Sequence, residues 1–108
     1  MSELNKYGLS EENLANVIAI ISAHPKVKKI ILFGSRAKGN FNKGSDIDIA
    51  VSGEHIELND ILNLLIVLDN LDLAYKFDII IFENIQSEEL KEHIERIGIV
   101  LYDKAITM

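Results

Sequence analysis

The sequence predicts an α/β (α+β) domain, a small mixed β-sheet flanked by helices, on the strength of three observations. Segments with apolar residues at i, i+3, i+4 and i+7 alternate along the chain with apolar runs only about six residues long, the pattern of helices interleaved with strands. Hydrophobic residues make up 48% and charged residues 26%, with a single proline, a composition that folds rather than staying disordered. The 108 residues suffice for one core, since a chain of this size buries roughly two-thirds of its unfolded surface. Residues 1–108 are therefore expected to form a single domain with its core over about 10–102.

The elements follow in order. Ser10 stands where a helix N-cap belongs, Glu11 and Glu12 suit the first turn, and Leu14, Val17, Ile18 and Ile21 form one apolar face that ends before Pro25. Lys28 to Phe33 reads as a strand buried on both faces and stopped by Gly34. Ser35 to Gly39 reads as a short helical turn and Asn40 to Gly44 as a loop. Asp46 to Val51 begins with strict alternation, which puts Ile47, Ile49 and Val51 on one face of a strand. Asn59 or Asp60 can cap a third helix reaching about Leu71. Phe77 to Phe82 reads as a third buried strand interrupted by one carboxylate. Ser87 to Ile97 makes a last helix with Gly98 at its C-terminus, and Ile99 to Tyr102 a short edge strand.

Charge removes some function classes. Eleven Lys and Arg against 17 Asp and Glu leave a net charge of −6, which speaks against direct nucleic-acid binding because no basic cluster compensates it. The absence of cysteine excludes disulfides, thiolate metal sites and a cysteine nucleophile. The first residues have neither a basic nor an apolar signal region, and no apolar stretch approaches ~18 residues. A cytoplasmic protein that does not enter a membrane is expected.

Three features gather at one edge of the expected sheet: the Gly34-Ser35 turn, the Asp46/Asp48 pair, and Asp78. Side chains at i and i+2 of a strand leave the same face about 6.6 Å apart along the backbone. Asp46 and Asp48 can thus converge on one ion or ion pair. Such carboxylates repel each other unless a divalent cation neutralises them, and hard oxygen ligands favour Mg²⁺ or Mn²⁺. Gly34 permits a tight turn, the Ser35 hydroxyl can donate to a phosphate oxygen, and the following backbone N–H groups favour anions, with Arg36 or Lys38 adding positive charge. Asp78 can complete a second metal site and help deprotonate a hydroxyl.

Each feature alone has a simpler reading. A lone DxD is commonly a solvated strand edge, Gly34-Ser35 a plain turn, Asp78 an edge residue facing water, and Arg36 a surface cation. The combination points to chemistry, because acidic residues interrupt segments otherwise suited to burial, where unpaired carboxylates are expensive. A calcium loop is excluded by the missing glycine at its sixth position.

Other residues offer less. Of the 11 residues Ile61 to Leu71 only Asn63, Asp69 and Asn70 are polar, so this helix is either sandwiched within the domain or presents one face to a partner or a second copy. His24 suits a helix C-terminus, His55 and His93 suit solvent, and Tyr7, Tyr75 and Tyr102 suit packing.

The run GSRAKGNFNKGSDIDIAV, Gly34-Ser35 followed after ten residues by Asp46-Ile47-Asp48, with Asp78 as a third carboxylate, resembles the nucleotidyltransferase superfamily that includes DNA polymerase beta and the aminoglycoside nucleotidyltransferases. The resemblance covers about Leu14 to Tyr102. The short chain is similar to the minimal nucleotidyltransferases, small proteins usually paired with a helical HEPN-domain protein in a toxin–antitoxin module. The resemblance implies the polymerase-beta-like fold and a two-metal transfer, with two Mg²⁺ or Mn²⁺, of AMP from ATP to a hydroxyl. It assigns Asp46, Asp48 and Asp78 to metal and catalysis, Gly34 and Ser35 to the nucleotide, and Arg36 to the nucleotide secondarily. The implied partner is a HEPN toxin, typically modified on tyrosine. The alternatives are a module that binds nucleotide and neutralises its partner by contact, and a transferase with a small-molecule acceptor.

Overall fold

A computed structural model describes residues 7–42, 44–71 and 75–106. Its elements are α1 (Glu11–Ser22), β1 (Val27–Phe33), α2 (Gly34–Lys38), β2 (Ile47–Gly53), α3 (Leu58–Asp69), β3 (Phe77–Ile81) with a 3₁₀ turn (Phe82–Asn84), α4 (Glu88–Ile97) and β4 (Ile99–Asp103). The strands form one mixed sheet in the order β3-β2-β1-β4. β1 runs antiparallel to both β2 and β4, while β2 and β3, joined through α3, run parallel. The mixed sheet flanked by helices agrees with the expected class.

Strand alternation explains the layers. Ile30 and Leu32 of β1, Ile47, Ile49 and Val51 of β2 and Ile79 of β3 face α1 and α3, where they meet Val17, Ile21, Ile61, Leu64 and Leu68. On the opposite face Ile31, Phe33 and Ala50 pack with Ile94 of α4. β1 is therefore buried on both faces as its unbroken apolar run requires.

Local signals fix the helix ends. The Ser10 hydroxyl accepts from Asn13 N at 3.0 Å, and the Ser87 hydroxyl accepts from Leu90 N at 3.2 Å, each satisfying a free first-turn donor. Gly98 follows α4 at an ordinary φ of −60°. Its need for glycine is steric, because a side chain there would overlap the Ile94 carbonyl and the Ile31 side chain.

Three expectations are corrected. The N-cap of α3 is Glu57, not Asn59 or Asp60. Glu57 accepts from the third-residue N–H, and Asp60, that third residue, accepts from Glu57 N at 2.8 Å in a reciprocal capping box. β3 is an edge strand in which Ile79 alone is fully buried, because the sheet stops beside it. α3 is not sandwiched: Ile61, Leu64 and Leu68 are buried, whereas Leu58, Leu62, Ile66 and Val67 face solvent. His24 follows the C-terminus of α1 as expected, and its backbone N donates to the Ile21 carbonyl at 3.1 Å. Its Nδ1 accepts from Lys26 N at 3.2 Å, which leaves the proton on Nε2 to bond Asp60 Oδ1 at 3.1 Å. His55 is exposed as expected, and His93 is half-buried. Tyr7, Tyr75 and Tyr102 pack against the larger core, and β4 occupies the expected second edge. Among the described residues no helix is long and apolar enough to cross a membrane.

Candidate active site

The site lies at the junction of β1, α2, β2 and β3. Phe33, the last residue of β1, pairs with Asp48 of β2, and Asp48 pairs in parallel register with Asp78 of β3. Neighbouring strands lie about 4.8 Å apart, so register sets the Asp48 and Asp78 backbones side by side at the sheet edge. Asp46 directly precedes β2 and shares the parity of Asp48. Asp46 and Asp78 are exposed and Asp48 is half-buried.

Electrostatics tie the three together. The Asp48 carboxyl titrates above its ordinary value because burial penalises its charge and because Asp78 and Asp46 repel it, while Arg36 acts in the opposite direction. Among the described residues no three carboxylate or imidazole groups are drawn to metal-ligand separation. The arrangement is a mutually repelling, all-oxygen donor set open to solvent, and that chemistry fits a hard divalent cation.

Gly34 begins α2 at φ +75°. An added Cβ there would overlap Asp48 Oδ2, so glycine is needed both for the backbone angle and for the approach of the carboxylate. The half-buried Ser35 follows, and its carbonyl closes α2 by accepting from Gly39 N at 2.9 Å and Asn40 N at 3.2 Å. Gly39 takes φ +89° with open space around its Cα, an αL cap that releases the chain into the loop toward Asp46.

Arg36 departs from the surface reading: it is 2% exposed. Its Nη1 donates to the Tyr7 carbonyl at 2.7 Å, and its Nε and Nη2 donate to the Ser45 carbonyl at 3.3 and 2.9 Å. The rings of Phe41 and Tyr75 lie 5.0 and 5.2 Å from its guanidinium carbon. Its donors thus turn inward to protein carbonyls, whereas Lys38 ends α2 exposed. The partners Phe41, Ser45 and Tyr75 escape sequence reasoning. They lie 5, 9 and 39 residues from Arg36, and no periodicity links them to a five-residue helix.

The polymerase beta nucleotidyltransferase family model matches residues 15–107. A candidate protein adenylyltransferase of Methanocaldococcus jannaschii is 37% identical over 65 residues, 60% of this chain, and the match spans only 59% of that relative's length. A crystal structure of a toxin–antitoxin with AMP-PNP contains a chain of 27% identity that superposes with a TM-score of 0.68 over 88% of this chain and 74% of its own. A structure of tri-AMPylated Shewanella oneidensis HEPN toxin in complex with MNT antitoxin gives 25% identity and a TM-score of 0.66, covering 86% of this chain and 71% of the other. The mixed sheet, the Gly-Ser turn packed on the second Asp of the pair, and the length of the family match converge, and the chain belongs to the polymerase beta nucleotidyltransferase family.

Proposed function

We propose that the chain is a protein adenylyltransferase that moves AMP from ATP to a hydroxyl of a HEPN-type helical partner, acting as the antitoxin of a toxin–antitoxin pair. The observation that carries the reading is the register of Asp48 against Asp78 beside the Gly34-Ser35 turn, which brings acidic residues of two strands together next to that turn. The solved relatives, one holding AMP-PNP and one an AMPylated toxin, support the nucleotide and the acceptor.

Asp46, Asp48 and Asp78 would hold two Mg²⁺ ions, with Mn²⁺ as a substitute. Those ions would supply charge neutralisation and polarisation at the α-phosphate. The chain's own groups supply the rest. The Ser35 hydroxyl and the adjoining backbone orient the triphosphate. The acceptor oxygen forms a bond to the α-phosphorus as the bridge to the β-phosphate breaks, pyrophosphate leaves, and the hydroxyl proton passes to the Asp78 carboxylate. The solvent exposure of Asp46 and Asp78 gives an acceptor side chain direct access.

The test incubates the protein with Mg²⁺, α-labelled ATP and the product of the adjacent gene. Label is expected on that partner, on tyrosine, and is lost with Asp46→Asn or Asp48→Asn. A folded, ATP-binding protein that labels nothing yet neutralises its partner would establish the contact-only module instead.

A further inference from the structure

Among the described residues Arg36 is the one buried charged side chain, and no carboxylate bonds to it. Burying a cation is costly, and a buried ion is by itself a poor source of stability. Its surroundings show what it holds. Gly8, at φ +80°, lies so close that a side chain there would overlap Arg36 Nη1 and the Phe41 ring. The Tyr75 hydroxyl donates to the Gly8 carbonyl at 3.1 Å, closing a slot around the guanidinium. From that slot two of its three donor groups reach a single acceptor, the carbonyl of Ser45, the residue directly before Asp46. One residue beyond Asp46, Ile47 N donates to the Lys76 carbonyl at 2.8 Å. The backbone on both sides of Asp46 is thus fixed, by Arg36 on one side and by the segment leading to Asp78 on the other.

We propose that Arg36 is a positioning residue which, by gripping the Ser45 carbonyl from a rigid aromatic slot, sets the placement of Asp46 relative to Asp48 and Asp78 and so the affinity of this site for a divalent cation. The inference rests on the metal-binding reading above and not on the identity of the acceptor. A planar fork is what the geometry uses, since a lysine ammonium can keep the charge but cannot place two donors on one carbonyl while lying between two rings.

The test titrates the full chain with Mn²⁺ alone, reading free ion by electron paramagnetic resonance, for wild type, Arg36→Lys and Phe41→Leu, with the folded fraction fixed by circular dichroism. Arg36→Lys should bind Mn²⁺ about tenfold more weakly while folded, the usual effect of losing a group that orients a ligand. Phe41→Leu, which loosens the slot without touching the charge, should weaken binding about threefold. With ATP and partner present, kcat should fall while KM for ATP at saturating Mn²⁺ is unchanged. A folded Arg36→Lys with wild-type Mn²⁺ affinity makes Arg36 purely structural and overturns the proposal. Should Arg36→Lys not fold, Phe41→Leu decides in the same way. Wild-type protein that binds no Mn²⁺ also overturns it, whereas Mn²⁺ binding that depends on Arg36 without transfer to any partner removes the adenylylation reading and leaves positioning standing.

Discussion

The Asp48 carboxylate rests against the α-carbon of Gly34 with no room for a Cβ between them. Gly34→Ala must therefore displace the carboxylate and also hold a side chain at φ +75°. The left-handed conformation alone costs about 1–2 kcal/mol. Urea denaturation should show at least that loss, and AMP transfer should disappear even under conditions where the variant is fully folded.

Asp48 sets activity against stability. Its carboxyl is raised above 3.8 mainly by burial and then by Asp78 and Asp46. A raised value in the folded state means that the native protein binds this proton more tightly than the unfolded chain. The resulting stability is complete below the unfolded value and is lost as pH rises through the folded one. At neutral pH the ionised group is a burden. Asp48→Asn should abolish transfer yet raise Tm by about 2–4 °C at pH 7 without divalent cations. The gain should vanish at low pH, where the wild-type group is protonated.

Asp60 behaves in the opposite sense. It accepts from Glu57 N and from Lys26 Nζ at 3.0 Å and meets His24, and these contacts lower its carboxyl to about 2. A depressed value contributes stability above the unfolded value that is lost as pH falls through the folded one. Acid melts should show a Tm decrement between about pH 4 and pH 2 that is missing in Asp60→Ala. That variant should also start from a lower Tm at pH 7, because the cap of α3 and its tie to the α1–β1 turn are both gone.

The two sides of α3 should respond differently to substitution. Leu68 is 1% exposed, and Leu68→Ala should cost about 2–5 kcal/mol. Leu62 faces solvent, and Leu62→Glu should change stability by less than about 0.5 kcal/mol. Paired urea titrations measure both, and a large loss in Leu62→Glu would contradict the one-sided packing of this helix.

Local patterns were legible in the sequence wherever a residue's role depended on its near neighbours. The Ser10 cap, the double burial of β1 and the facing of Ile47, Ile49 and Val51 all follow from spacing along the chain. The Asp46/Asp48 pair and Gly34-Ser35 stood out for the same reason. What spacing concealed was partnership at a distance. β3 reads as buried because its composition is apolar, and only the strand order reveals that, among the described residues, no strand pairs with its outer side. Glu57 is not legible as a cap because its capping box uses Glu and Asp in place of the usual Ser or Thr with Glu. Arg36 looked like a surface cation because its acceptors and rings come from three separate segments.

The position of β3 has a consequence for when the site exists at all. Asp48, with Asp46 just ahead of it, comes on a strand paired locally with β1, but Asp78 arrives only after α3 has carried the chain across the core and laid β3 along β2. An edge strand held by one neighbour is among the first parts of a sheet to open. Each such opening, even with the rest of the sheet intact, separates Asp78 from Asp48. The constellation is therefore only as persistent as the β2–β3 pairing, and hydrogen exchange at the β3 amides would measure the fraction of time for which it is assembled.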